Sequence, residues 1–374
     1  MRSKNSGAMP NLDHMRWIAA LAVTFQHARA LVMVDYQPGE GPLASAVFFA
    51  AGFSHQAVIV FFVLSGYLIG GKTLRLLREG ASREQRLRFV QDRFVRIAIV
   101  LWPALLLSAL VALIAPKTAV LTTPGWSADL PDIAAGSTGK AWFAAALMLN
   151  ELLVRTVPYN GPLWSLAYEW TYYVLAAAAL FLVAREGSGL GRAAITYAVA
   201  LLLLSVWNSP LLLWMATFWL GGALVALLPG IRMPWISGGV FIVVLFLSRF
   251  DRPQGIADAS VAAATVLLIA DRTFRSGRFA SAIATRLASF SFSLYVVHWP
   301  LMLLTLAWLQ SFGYITQRLA AGPAAYASIA LLVAVSYAGA IPFAWATEAR
   351  TAAIRGWLRG RGRPAASGLE NAKV

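Results

Sequence analysis

The sequence predicts an all-α, polytopic membrane protein with about ten transmembrane helices and both termini in the cytoplasm. Three observations carry that expectation. Hydrophobic residues make up 59% of the 374 and charged residues only 13%, where soluble domains run near roughly 25% charged. Apolar stretches of about 20 residues, the length that spans a hydrocarbon core, recur along the chain. Lys and Arg gather between some of those stretches and avoid others, as cytoplasmic loops do. The formal net charge of +15 is then a topology signal and calls for no nucleic acid. Cys is absent, which removes disulfides, a thiolate nucleophile and a Cys metal site.

The N-terminus, MRSKNSGAMP, is short, polar and basic. The apolar stretch behind it is longer than a signal-peptide core and lacks a small-residue cleavage site, so it reads as retained. That stretch, 12–34, is the first span, yet it carries Asp13, Arg16, His27 and Arg29. A charge near the bilayer centre costs at least ~3 kcal/mol, so such residues usually face a protein interior or a wet cavity. Arg16 and His27 are eleven residues apart. On a helix that is about 16 Å of rise and within about 20° of one face. One wall would carry a cation near the cytoplasmic end and an imidazole near mid-membrane. The competing reading is a snorkelling Arg and a His paired with a neighbouring helix.

Residues 35–45 hold acids and no Lys or Arg, and read as external. The second span is 46–70. The loop 72–96 follows, with eight basic residues (Lys72, Arg75, Arg78, Arg83, Arg86, Arg88, Arg93, Arg96) against three acids, and is placed inside. Span 97–115 leads out to 116–140, rich in Pro, Gly, Ser and Thr. The stretch 271–286 (Arg272, Arg275, Arg278, Arg286) is inside again. So is the tail after Glu348, with Arg350, Arg355, Arg359, Arg361, Arg363 and Lys373. Crossings between Arg96 and Asp271 must therefore be even in number. Of seven apolar candidates there, 141–154 is the shortest and holds Asn150 and Glu151. It is taken as a partial helix in an external region, 116–161. The crossings are then 97–115, 162–184, 193–207, 210–228, 234–250 and 255–270. With 287–310 and 323–347 after them the total is ten. The organisation is a cytoplasmic N-terminus (1–11), one membrane domain (12–347) and a basic cytoplasmic tail (348–374), whose last dozen residues read as disordered.

Several positions bear on chemistry. In FFVLSGYLIGG, Ser65 and Gly66 suit either close helix packing or a ligand contact. His55, in the same span, reads as a support residue. Arg93 and Arg96 are three apart and share a helix face. They suit either bidentate phosphate binding or contact with anionic membrane lipids. Glu169, in NGPLWSLAYEWTYY, lies about seven residues into its span, where a carboxylate is expensive unless paired or functional. Trp164, Tyr168, Trp170, Tyr172 and Tyr173 form an interfacial aromatic belt or platforms for a sugar ring. His298, in SFSLYVVHWPLM, sits at a depth near that of His27, either as a structural His or in a shared polar cavity. No Walker A, zincin, GxSxG or voltage-sensor pattern occurs.

Taken in order, LDHMRWIAALAVTFQH, FFVLSGYLI, DRFVRI, GPLWSLAYEW and SFSLYVVHWP resemble the bacterial membrane acyltransferase-3 family, over about residues 10 to 347. The resemblance implies a ten-helix fold in the bacterial cytoplasmic (inner) membrane and transfer of an acyl group, commonly acetyl. It implies acyl-coenzyme A as donor on the cytoplasmic side, no metal, and a hydroxyl of a cell-envelope or exported glycan as acceptor. Succinyl or longer acyl groups and a small-molecule acceptor are the alternatives; no oligomeric state is implied. The family's Arg-x10-His pattern falls on Arg16 and His27. Its loop arginines fall on Arg93 and Arg96, with Asp92 where Arg often precedes them. Its Trp-Ser-Leu-x-x-Glu pattern falls on Trp164, Ser165, Leu166 and Glu169, and its late His on His298.

The residues agree with that chemistry. A basic cytoplasmic mouth of Arg16, Arg93 and Arg96, with Ser65 beside it, suits an anionic thioester donor. A hydroxyl acceptor needs a general base, for which His27 is expected, with Glu169 and His298 in the same cavity and Trp164, Tyr168 and Tyr172 against the acceptor. Without Cys or an elbow Ser, direct transfer is expected over an acyl-enzyme. A glycan or lipid transporter with a His/Glu proton relay is the rival function, and a membrane scaffold the third.

Overall fold

The computed structural model describes residues 10–114, 138–185, 188–250, 253–271, 273 and 277–360. The expected loop 116–140 falls almost wholly outside these residues, as do Arg272, Arg275 and the expected disordered end of the tail. Among the described residues all regular structure is helical, apart from isolated backbone bridges.

Helix α1 (Pro10–Val32) covers most of the stretch 12–34 expected as the first span. Helices α2 (Pro42–Ala51) and α3 (Ser54–Ser65) follow, and α3 continues through one π-helical turn, Gly66–Gly70, into α4 (Gly71–Glu79). Gly80 ends α4 in the left-handed region at φ 77°, which glycine adopts without steric cost. Helix α5 (Arg83–Ile114) begins at a reciprocal cap: Ser82 N–H donates to Gln85 Oε1 (2.7 Å) and Gln85 N–H to Ser82 Oγ (3.2 Å). The stretch 72–96 is therefore helical on both sides of residues 80–82 and is not a loop. Charge bias assigns a side of the membrane but says nothing of conformation, and the Leu, Arg, Glu and Gln of this stretch are good helix formers.

The stretch 141–154 yields only α6 (Gly139–Ala146), then irregular chain to a 3₁₀ turn, Pro158–Leu163. The helices that follow are α7 (Trp164–Val183), α8 (Gly189–Asn208), α9 (Pro210–Val225), α10 (Pro234–Leu247) and α11 (Gln254–Ala270). Pro opens α9 and α10, where its missing N–H is free of cost. Ser188 caps α8, which reaches 20 residues rather than the 15 of 193–207. An amphipathic α12 (Arg278–Ala288) precedes α13 (Ser291–Ser311), α14 (Pro323–Ala346) and the short α15 (Thr351–Leu358).

Among the described residues, six helical stretches are long and apolar enough to cross a membrane: Pro42–Glu79, Arg83–Ile114, Pro158–Val183, Gly189–Asn208, Ser291–Ser311 and Pro323–Leu358. Helix α1 is not among them, because Asp13, Arg16 and Arg29 lie along it with two imidazoles. Helices α9 to α11 are apolar but shorter. Helix α1 packs against α3, α12, α13 and α14; α3 packs on α9 and α11; α7 packs on α5 and α8. The α3–α9 crossing is backbone on backbone. A Cβ on Gly66 would lie 1.8 Å from the Trp219 carbonyl oxygen, and one on Gly222 would lie 2.0 Å from that of Val63. Gly66 thus takes the packing role that small residues play between membrane helices.

Candidate active site

A cavity of about 290 Å³ opens between α1, α3, α5, α7 and α13. Its polar walls come from Arg16 of α1, Ser65 of α3, Arg93 and Arg96 of α5, Glu169 and Tyr173 of α7, and Tyr295 of α13. Phe61, Leu68 and Phe292 supply apolar wall. Three guanidiniums face one carboxylate there, so the cavity is electropositive and suits an anionic ligand.

Local sequence positions each group. Ser165, Leu166, Glu169 and Tyr173 form one stripe of α7 at helical spacing, and all four line the cavity. Tyr168 and Tyr172 lie on another stripe and are buried away from it. The Tyr168 hydroxyl pairs with Ser209 Oγ at 2.6 Å, and the Tyr172 hydroxyl donates to the Leu212 carbonyl at 2.6 Å. Trp164 stacks edgewise on Tyr168, with ring centres 5.2 Å apart. Tyr168 and Tyr172 therefore join α7 to the start of α9, Trp164 packs on Tyr168, and none of the three aromatics expected against the acceptor lines this cavity.

Glu169 Oε1 accepts hydrogen bonds from Ser65 Oγ (2.9 Å) and from the Tyr173 hydroxyl, and Ser65 Oγ accepts from Trp219 Nε1 (3.2 Å). Ser65 stands where the helix changes from α to π geometry, a feature common at functional sites. In the sequence Tyr173 reads as part of an aromatic belt or as a platform for a sugar ring. Its place four residues after Glu169 is the signal that pairs them. Trp219 and Tyr295 carried no such signal, since their partners are far away in the chain.

The arginines are held by aromatic rings. Arg93 lies over Tyr173 at 5.9 Å and Arg96 over Phe292 at 5.6 Å. Arg96 also approaches Glu348 at 3.9 Å, a carboxylate that accepts from the Ser293 N–H and hydroxyl.

His27 and His298 meet directly, with Nδ1 of His27 2.8 Å from Nε2 of His298 and the ring planes within 1° of parallel. Neither lines the cavity. They stand behind Tyr295, whose ring centre is 6.0 Å from that of His298. His298 is fully buried, whereas His27 is only partly so. The hydrogen bonds assign the protons. Nδ1 of His298 lies 3.1 Å from the Leu294 carbonyl, which can only accept, so that nitrogen carries hydrogen. In the neutral ring Nε2 of His298 is then an acceptor, and His27 Nδ1–H donates to it. Neutral His27 is left with its lone pair on Nε2, the state a general base requires.

A second polar group lies outside this cavity: His55 Nε2 meets Asp258 at 2.9 Å, and Trp214 Nε1 reaches the same carboxylate at 3.4 Å. Among the described residues no cluster has the makings of a metal site.

Among curated proteins and among solved structures no match is found. One family model does match, described as an acyltransferase domain, and it covers residues 9–346. That match takes in α1, every wall of the cavity and both histidines, so the chain belongs to the acyltransferase-3 family of acyltransferase domains.

Proposed function

We propose that the chain is a multi-pass membrane O-acyltransferase. It carries an acyl group, acetyl first, from cytoplasmic acyl-coenzyme A to a hydroxyl of a cell-envelope or exported glycan in the bacterial inner membrane. The topology we propose has ten crossings, both termini inside, and one membrane domain over 12–347. The six long helical stretches are joined in it by α1, α9, α10 and α11. The last three are 16, 14 and 17 residues long, or about 21 to 26 Å of helix, so flanking residues complete the crossing.

The observation that carries the reading is the imidazole pair behind an electropositive cavity. In the proposed reaction His27 Nε2 takes the proton of the acceptor hydroxyl. The oxygen forms its bond to the thioester carbonyl carbon, the carbon–sulfur bond breaks, and the proton passes to the departing thiolate. His298 holds the His27 tautomer and orientation and is a positioning residue. Arg16, Arg93 and Arg96 receive the donor's anionic part. Glu169, braced by Ser65 and Tyr173, orients the acceptor. The test is mass spectrometry of envelope glycans from cells with and without the protein, coupled to transfer of label from acyl-coenzyme A in proteoliposomes. An acyl-sized mass shift and labelled glycan are expected. A transporter would move the glycan and leave it unlabelled.

A further inference from the structure

Beside Arg93, which lines the cavity, helix α5 meets the C-terminal helix α15. Asp92, on α5 next to Arg93, is gripped from α15: the Arg355 guanidinium donates to the Asp92 carbonyl at 2.8 Å, and Arg355 Nε lies 3.5 Å from its carboxylate. Arg359, four residues on, donates to the same carboxylate oxygen. Lys72 at the start of α4 lies within electrostatic reach of Asp92, Arg93, Arg355 and Arg359. Two guanidiniums thus contact one carboxylate, with Arg93 adjacent in the chain and Lys72 within electrostatic reach. The Nε atoms of Arg93, Arg355 and Arg359 are buried without a hydrogen-bond partner, and such donors are costly to leave unmet. The cluster holds more positive charge and more donors than Asp92 can satisfy.

We infer that Arg355 and Arg359 of the C-terminal helix, with Arg93 and Lys72, form a phosphate subsite at the cytoplasmic mouth, and that Asp92 stands in for the bound anion. The inference rests on the proposed donor chemistry. A nucleotide-bearing acyl donor brings several phosphate charges, whereas the cavity beyond this cluster suits its acyl arm. Phosphate displaces the carboxylate and takes up the unmet Nε donors in the bidentate geometry that guanidinium favours. The chain beyond the membrane domain then takes part in donor binding, and the Asp at position 92 keeps the arginines in place while the site is empty.

The full-length protein in nanodiscs of zwitterionic lipid, titrated calorimetrically with coenzyme A and with phosphate-free pantetheine, tests this. The double variant Arg355→Ala/Arg359→Ala is expected to bind coenzyme A at least roughly tenfold more weakly, with a shallower salt dependence and unchanged pantetheine binding. Arg355→Lys/Arg359→Lys should recover part of the loss. Weakened pantetheine binding as well would mark general damage to the fold, and equal coenzyme A binding by parent and double variant would show that α15 only docks; either overturns the subsite. A loss seen only in nanodiscs containing anionic lipid would assign the cluster to lipid headgroups and also overturn it. If the parent protein binds no coenzyme A, the donor assignment itself fails, and the subsite with it.

Discussion

Replacing His298 by Leu isolates the contribution of the imidazole pair. The side chain is fully buried, so an apolar residue is tolerated by its surroundings. What is lost is the acceptor 2.8 Å from His27 Nδ1. His27 then keeps an unpaired N–H, or moves its proton to Nε2 and gives up the lone pair that receives the hydroxyl proton in the proposed reaction. Leaving a buried donor unmet costs about 1–3 kcal/mol. Charged wholly against the competent orientation, that is roughly 5- to 150-fold in rate. His298→Gln supplies an oxygen acceptor and should recover most of it. Initial rates of labelled acetyl transfer from acetyl-coenzyme A, normalised to monodisperse protein, measure both variants. A His298→Leu protein within twofold of the parent would refute the tautomer argument. So would a Gln variant no better than Leu.

His27→Ala should insert, fold and bind coenzyme A, yet lose about 10² to 10⁴ of the transfer rate, read by the same assay together with calorimetry. Gly222→Ala should lower stability by about 1–3 kcal/mol, since its Cβ would meet the Val63 carbonyl at 2.0 Å and part α3 from α9; a thermal melt unchanged from the parent would contradict the close crossing. The chain has no Cys, so single substitutions report topology cleanly. A membrane-impermeant maleimide on intact cells should label Gln37→Cys and spare Ser82→Cys, and the reverse pattern would invert the proposed orientation.

The sequence by itself determined the membrane class, the order of the helices and the identity of most polar residues in the cavity. Long runs of apolar residues and blocks of Arg are local in sequence, so they are legible without contacts. The demotion of 141–154 followed from charge parity, and among the described residues only the short α6 forms there. Arg16 and Glu169 stand out because ionisable residues in apolar helices are expensive, Arg93 and Arg96 because they share one helix face in a basic stretch, and Ser65 as a small polar residue suited to packing or a ligand.

Only the tertiary structure decided how those residues are divided. His27 and His298 are separated by most of the chain, and no spacing rule foretells that their rings touch or which nitrogen carries the proton. The aromatics of α7 look alike in sequence, yet one helix face turns Tyr173 into the cavity and another buries Tyr168 and Tyr172 against α9. Asp92 read as a departure from the family's pattern. In the fold it is the partner of Arg355 and Arg359, more than 250 residues away. Burial cost is a property of one residue and its segment, and is written in the sequence. Which partner meets that cost depends on how helices distant in the chain pack, and that is settled only when they do.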